Sequence, residues 1–318
     1  MKHILTISSF LLCVHAMNAQ TDNVTRKRSQ KQTTTQVTTA PKKQSTTVTP
    51  AKKQSPTTSS SPRSSSSDSA NSNSSSQPID NSSYTLDVKT FYANGVSFQM
   101  VEVQGGTFKM GGTSEQGSDI YDDEKPIHSV TLSSYYIGKY EVTQELWQAV
   151  MGNNPSNSKG NRKPVECVSW NDCKTFIAKL NSLTGKNFRL PTEAEWEFAS
   201  RGGKKSKGYK YSGSNIIENV AWYSSNARYQ THDVGTKSSN ELGIYDMSGN
   251  VWEWCSDWYG NYSSNAQSNP TGPSSGSYRV FRGGSSSYDA GRCRSSTRCD
   301  NAPVFVSSNL GLRLCLSE

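Results

Sequence analysis

The sequence predicts an α+β domain: a compact mixture of short strands and short helices, with little regular secondary structure in its second half. Three observations support this prediction. Apolar residues alternate with polar ones from Val96 to Met110, two later segments begin with helix-capping sequences, and Gly, Ser, Asn and aromatic residues dominate from Arg201 onward. Such a composition is typical of long loops, which we expect aromatic packing, disulfides or metal to hold in place.

Two segments precede the domain. Residues 1–19 join a basic start to a short apolar run, which predicts a cleaved export signal. The run is too short to span a membrane, and no later segment is longer. Cys13 is a candidate for lipid attachment, although Leu12 is bulkier than a lipoprotein signal favours. Residues 20–85 are rich in Ser, Thr, Gln and Lys, which predicts a disordered linker.

The folded domain is therefore expected at residues 86–318. All 7 Trp and all 15 Tyr lie from Tyr84 onward, as a packed core requires. An exported chain of this kind resides in the periplasm, at the cell envelope or outside the cell.

The net charge of +8 belongs mostly to the leading segments. Residues 21–83 have nine Lys or Arg against three Asp, a surplus of six, and Lys2 adds one, which leaves +1 for the remainder. Nucleic-acid binding requires basic side chains concentrated on a folded surface. We therefore predict no nucleic-acid partner, and interpret the basic tail as a soluble spacer.

The first elements of the domain are predicted to be strands. The alternation from Val96 runs into Gly105 and Gly106 and resumes at Thr107, which predicts a strand, a turn and a second strand. Two more short strands are expected within residues 128–143. A short helix should follow Thr143, because Leu146, Trp147 and Val150 form one apolar face.

Two further helices have clear starts and stops. Ser169 and Asp172 begin one, and Gly185 ends it. Thr192 and Glu195 form a capping box for the next, which should end at the paired glycines 202 and 203.

Several phrases of the chain together resemble one family, in order, from about residue 96 to residue 316. They are "GGTFKMGG", "YEVTQELW", "PVECVSWNDC", "RLPTEAEWEFASRGG", "GIYDMSGNVWEWCSDWYG", "FRGGS" and "NLGLRLC". The chain is thereby identified as a member of the formylglycine-generating enzyme family, also called sulfatase-modifying factors. The resemblance implies a compact mixed domain similar to the C-type lectin fold.

The best-known members of this family oxidise a sulfatase cysteine with oxygen and a copper(I) ion that two cysteines hold. Soft thiolates suit copper(I), so the pair is required. The family spacing, counted from Ser285, puts Tyr288 at the first cysteine position and Cys293 at the second. When the family spacing is counted backward from Asn309 instead, Cys293 no longer falls on the second cysteine position. Cys299 could replace the missing cysteine only if the loop had a different conformation from that of the family. The resemblance thus implies that the copper pair is missing.

Other family cleft positions are kept. They correspond to Ser285, Trp252, Asn309 and Arg313, which the resemblance assigns to lining or supporting the cleft. Each also has a structural interpretation: Trp252 as a core residue, and Arg313 as the partner of a buried carboxylate.

The resemblance also implies calcium. Asp246, the carbonyls of Gly249 and Val251, and Glu253 correspond to family ligands, and calcium prefers such oxygen donors. A second site would use Asn219 and the carbonyl of Val220, but its later aspartate has no clear equivalent.

Six cysteines lie in the domain, and an even number in an exported protein favours disulfides. The resemblance suggests Cys173 with Cys315, and Cys255 with Cys293 is a second candidate. A bridged Cys293 would exclude copper.

The sequence therefore predicts an exported relative of the formylglycine-generating enzymes that binds an extended peptide or a glycan, or docks onto an envelope assembly. Two alternatives stay open. One is an oxidase that uses Cys293, and the other is a structural component of a secretion or motility complex.

Overall fold

A computed structural model describes residues 87–317 of the chain. The predicted signal peptide (1–19), the linker (20–85) and Cys13 lie outside the described residues. Within them are five α-helices and twelve strands. The helices are α1 (Gln144–Met151), α2 (Trp170–Thr184), α3 (Glu193–Ser200), α4 (Ile217–Val220) and α5 (Ser224–Ala227). The strands are β1 (Val88–Ala93), β2 (Val96–Val103), β3 (Gly106–Met110), β4 (His128–Leu132), β5 (Tyr135–Gly138), β6 (Phe188–Arg189), β7 (Trp252–Trp258), β8 (Gln267–Ser268), β9 (Arg279–Arg282), β10 (Arg298–Asn301), β11 (Leu310–Leu312) and β12 (Cys315–Ser317).

The strands form three sheets. An antiparallel five-stranded sheet has the order β1-β2-β5-β12-β6. A four-stranded sheet has the order β10-β9-β7-β11, with β11 parallel to β7. The third sheet, β3-β4-β8, consists of the antiparallel pair β3 and β4 and of β8, which lies in the loop that follows β7. Short strands from distant parts of the chain thus meet in every sheet.

The five-stranded sheet has a hydrophobic core on each face. Alternate residues of β5 face opposite ways, so Tyr136 packs in one core while Tyr135 and Ile137 pack in the other. Helices α1 and α2 cover the first face, where Trp147 stacks on Phe176 with ring centroids 4.8 Å apart. Helix α3 contributes to the second core.

The predicted strands and helices of the first half are confirmed. Thr143, Ser169 and Thr192 each accept a hydrogen bond from the backbone of their own helix, and Gly185 ends α2 in the left-handed conformation. The sequence did not indicate β1 or most strands after residue 250. Strand β7 lacks alternation because residues on both of its faces are buried.

Buried arginines hold the long loops of the second half. Arg294 binds Glu124 with an N–O distance of 2.6 Å, and donates to the carbonyls of Asp119 and Gly291. Arg282 pairs with Glu197, and donates to three consecutive carbonyls of the loop at 295–297. Because a guanidinium has five donors in a fixed fork, one buried arginine can hold several backbone segments while its charge is compensated.

Neither predicted disulfide is present, because none of the six cysteines at 167–315 is bonded to another cysteine. Cys173 packs in the core on one face of the five-stranded sheet, whereas Cys315 packs in the core on the other face. Cys255 belongs to the second core, and Cys293 to a separate apolar cluster around α4. The two members of each predicted pair thus pack in different clusters.

Among residues 87–317, no helix is long and apolar enough to cross a membrane.

Candidate functional site

The candidate site is built on the turn after β9. Gly283 and Gly284 have φ values of 102° and 75°, which favour glycine. A Cβ atom on Gly284 would lie 2.6 Å from the sulfur of Cys293 and 2.9 Å from the carbonyl oxygen of Arg292. The paired glycines therefore allow the turn to pack directly on Cys293.

Cys293 is a buried thiol. Its side chain is 0% exposed and packs beside Tyr211, Val220 and Tyr223. Burial, followed by the negative charge of Asp289, raises the pKa of Cys293 to about 12, and a hydrogen bond from the backbone of Ser285 opposes this only in part. The residue is thus protonated near neutral pH, whereas metal binding and nucleophilic attack require the thiolate.

Tyr288 stands where the first copper-binding cysteine was expected. Its ring meets Trp252 edge-on, with centroids 5.6 Å apart. Cys299 packs with the first core and Cys293 with the α4 cluster, so the two thiols belong to different layers. No group of three or more His, Cys, Asp or Glu side chains within residues 87–317 is arranged to hold a metal ion. These residues do not fit a copper(I) centre.

Three of the predicted cleft residues are connected through Tyr288. The backbone N–H of Tyr288 donates to the Ser285 carbonyl at 3.1 Å, and its ring contacts Trp252. The N–H of Trp252 in turn donates to the Asn309 carbonyl at 2.8 Å. We name Ser285, Tyr288, Trp252 and Asn309 the turn cluster. The structure brings them together, while Trp252 is only 2% exposed and also serves the core.

Arg313 lies apart from the turn cluster. Its guanidinium is buried, binds both oxygens of Glu253 at 2.6–3.1 Å, and donates to the carbonyls of Gly138 and Tyr245. These bonds use four of its five N–H donors, so Arg313 supports the fold around a buried carboxylate, which is one of the two roles expected from the sequence.

The predicted calcium turn contains one unpaired oxygen. Oδ2 of Asp246 accepts a hydrogen bond from the N–H of Gly235 at 2.6 Å, whereas its Oδ1 is buried and has no partner. Gly249 approaches Trp222 so closely that a Cβ would lie 2.2 Å from the Trp222 carbonyl oxygen. Asp246 therefore fits a cation ligand. Glu253 fits less well, because Arg313 and the indole N–H of Trp196 already use its oxygens.

The surroundings of Asp246 are rich in negative charge. Burial, followed by the charges of Asp246 and Glu253, raises the pKa of Glu141 well above its ordinary value. Burial likewise raises the pKa of Asp246 to about 6. Three carboxyl groups thus face one guanidinium, that of Arg313, and a bound cation would relieve this imbalance.

The second calcium site predicted from the sequence, at Asn219 and Val220, has surroundings that suit a cation less well than those of Asp246. Asn219 is exposed, and Val220 packs in the α4 cluster. The ammonium group of Lys237 donates to the neighbouring Glu218 carbonyl at 2.8 Å and lies 4.1 Å from the centroid of the Trp222 ring. A positive side chain therefore lies beside the backbone that would bind the ion.

Two cavities open away from the turn cluster. One of about 240 Å³ lies between β2, β5 and α1 and reaches Glu141. The other, of about 360 Å³, lies between β3, β4, α3 and the loop at 260–273, and we name it the loop cavity. Its wall includes His128, Asp257 and Arg298, which the sequence did not mark as a group because they come from three distant segments.

Comparison with known proteins agrees with this fold. Residues 87–317 match the family model described as "Sulfatase-modifying factor enzyme 1-like domain". The chain belongs to the sulfatase-modifying factor family, in which the formylglycine-generating enzymes are found. The predicted fold class is also confirmed by solved structures of the same architecture.

Three similar proteins differ in their given roles. The chain is 40% identical over 239 residues to the chaperone protein LppX of Paenibacillus barcinonensis, a match that covers 59% of this chain and 79% of that protein. It is 29% identical over 283 residues to the formylglycine-generating enzyme of Streptomyces coelicolor, covering 67% and 87%. The solved structure of Treponema denticola variable protein 1 aligns with a TM-score of 0.66 and 35% identity, covering 74% of this chain and 100% of that one.

Proposed function

We propose that this protein is an exported binding module of the sulfatase-modifying factor family and does not act as an oxidase. In this proposal the surface around the turn cluster receives an extended peptide or a glycan, or docks onto an envelope assembly. The observation that supports it most directly is the state of Cys293, which is fully enclosed and protonated near neutral pH.

The chemistry of copper(I) explains why this observation matters. The ion needs two soft thiolate donors on neighbouring loops. Here the expected first donor is the phenol of Tyr288, and the thiol of Cys299 packs in a different layer from Cys293. A site with one enclosed thiol has neither the ligand pair nor an open path for a substrate cysteine.

The alternative is the oxidase that converts a sulfatase cysteine to formylglycine. Family membership and the identity to a formylglycine-generating enzyme favour it. In that case Cys293 would be the reactive thiol, and Ser285, Trp252 and Asn309 would shape the cleft. A third candidate is a structural part of a secretion or motility complex. The similarity to LppX supports it most directly, since that protein is named a chaperone.

Thiol labelling distinguishes the first two candidates. The purified chain is treated with iodoacetamide, either native or denatured without reductant, and each labelled cysteine is located by mass spectrometry. We expect denatured protein to be labelled at all six domain cysteines, and native protein to stay unlabelled at Cys293. Cys167→Ser is the matched control for Cys293→Ser, because it removes a thiol that is partly exposed and leaves Cys293 in place.

Copper and product measurements complete the test. We expect no stoichiometric copper(I) and no formylglycine on a co-expressed sulfatase peptide. Native labelling of Cys293 together with one copper ion per chain, both lost in Cys293→Ser, would establish the oxidase instead.

We further propose that calcium binds at Asp246. The buried, unpaired Oδ1 supports this, and so does the excess of carboxyl groups around Arg313. Gly249, Val251 and Glu253 remain the predicted accompanying ligands, and Glu253 would have to release Arg313 to take part. Calcium suits this place because it takes oxygen ligands in a flexible shell.

A further inference from the structure

The loop cavity has a polar floor that keeps unused hydrogen-bonding capacity. Asp257 is 4% exposed, and its Oδ2 accepts hydrogen bonds from the Glu193 N–H and the Ser256 hydroxyl. Its Oδ1 makes no hydrogen bond to another residue at 87–317, and the residue lines the cavity. Burial, followed by the charge of Glu193, raises the pKa of Asp257 to about 7, so near neutral pH the carboxyl group can donate as well as accept.

His128 adds a second polar group. Its Nδ1 lies 3.1 Å from the Pro126 carbonyl and therefore carries the hydrogen, which leaves Nε2 as an acceptor. The ring also packs against Tyr262, with centroids 4.8 Å apart, so its orientation is fixed.

The one guanidinium among the lining residues already binds other groups of the protein. Arg298 binds both oxygens of Glu193 at 2.5 and 2.7 Å, and donates to the carbonyls of Asp123 and Gly260. Its charge is compensated, and four of its five N–H donors are used. A phosphate, sulfate or carboxylate would therefore find no available cation in the lining, and a neutral ligand is favoured.

The mouth of the cavity carries neutral polar groups. Asn261, Gln267 and Thr271 line the cavity where it is open to solvent, since the first and last are exposed and Gln267 is half-buried. Their side chains make no hydrogen bonds to other residues at 87–317. The lining also includes apolar side chains, those of Met110, Pro270 and Pro273. Strand β8 pairs with β4, so one end of the loop that carries these groups is fixed to a sheet.

We propose that the loop cavity binds a neutral carbohydrate the size of a mono- or disaccharide. Sugar hydroxyls donate and accept at once, which matches a lining that offers one carboxyl group, one imidazole acceptor and two amides. The C–H faces of the sugar suit the apolar wall. The volume of about 360 Å³ lies within the range of small-molecule sites.

This inference does not depend on the turn cluster. The loop cavity shares no lining residue with it, so carbohydrate binding and the state of Cys293 are separate questions.

The test is saturation-transfer NMR followed by calorimetry on the purified chain. The probes are glucose, galactose, mannose, N-acetylglucosamine, lactose, maltose and chitobiose, with glucose 6-phosphate and glucuronate as anionic counterparts. We expect at least one neutral sugar to bind with a Kd below about 10 mM, and more tightly than its anionic counterpart. Asn261→Ala with Gln267→Ala should weaken that binding about tenfold.

Matched substitutions keep the test specific. Gln148→Ala with Asn153→Ala removes an exposed glutamine and an exposed asparagine outside the cavity, and should leave the Kd unchanged. Thr271→Trp should abolish binding by filling the mouth, without touching the buried floor. The proposal is overturned if none of the neutral sugars binds, if an anionic probe binds more tightly, or if the cavity variants bind like the control.

Discussion

At the scale of single residues, burial changes the chemistry of Asp257. Its pKa is raised to about 7, first by burial and then by the charge of Glu193, although Ser256 donates a hydrogen bond to it. In the unfolded chain an aspartate titrates near 3.9. Because the folded pKa is the higher one, this group stabilises the fold fully below the unfolded pKa, and the contribution is lost as pH rises through about 7.

Asp257→Asn should therefore remove a pH dependence. The amide keeps an acceptor for Glu193 and Ser256 but cannot ionise, so we expect the variant to be more stable than the parent at pH 8 by roughly 1–3 kcal/mol. The free energy of unfolding in urea, measured at pH 4.5, 6 and 8, should also vary less with pH. Asp233→Asn, at an exposed position, is the matched control for the loss of one carboxylate. A variant that tracks the parent across this range would contradict the raised pKa.

Arg313 illustrates how far the sequence alone can assign a role to a site residue. The family motif located Arg313 in the sequence. Its partner Glu253 lies 60 residues away, and no neighbouring residue in the sequence distinguishes an arginine that lines a cleft from one that is buried. Ser285, Trp252 and Asn309 lie at or beside the ends of strands β9, β7 and β11, which belong to one sheet. The loop cavity was not predictable, since its polar groups meet only after folding.

At the scale of elements, helix α3 combines a predictable start with an unpredictable environment. Thr192 and Glu195 form the expected capping box because the interaction spans three residues. The glutamates of this helix would suggest a solvated face, yet all eight of its residues are buried. Arg282 and Arg298, which neutralise Glu197 and Glu193, follow 85 and 105 residues later. Capping is local and was predicted, whereas charge compensation at such separation was not.

The same dependence on distant charge applies to the buried segment at 293–298. Arg294→Gln would leave the carboxylate of Glu124 buried without its cation, and we expect a loss of about 3–5 kcal/mol in the free energy of unfolding. Adding Glu124→Gln should restore part of that loss, since the unpaired charge is then removed. Arg228→Gln, at an exposed arginine, should change stability by less than about 0.5 kcal/mol. Equal effects of Arg294→Gln and Arg228→Gln would show that the buried pair is unimportant.

At the scale of the whole molecule, an ion bound to the folded state alone stabilises every part of it by mass action. Calcium at Asp246 should therefore raise the melting temperature of the chain by a few degrees relative to the same protein in a chelator. The expected rise is roughly 2–4 °C for each kcal/mol by which calcium binding stabilises the folded state. Scanning calorimetry with calcium and with EGTA measures this difference. Asp246→Ala should abolish the response, while Asp119→Ala, at an exposed aspartate, should retain it. An equal calcium response in both variants would place the ion elsewhere.

The arginine-to-carbonyl bonds of the second half have a consequence for maturation. Arg294 follows its carboxylate partner Glu124 by 170 residues, so the ion pair that accompanies these bonds can form only after the second half of the domain has been synthesised.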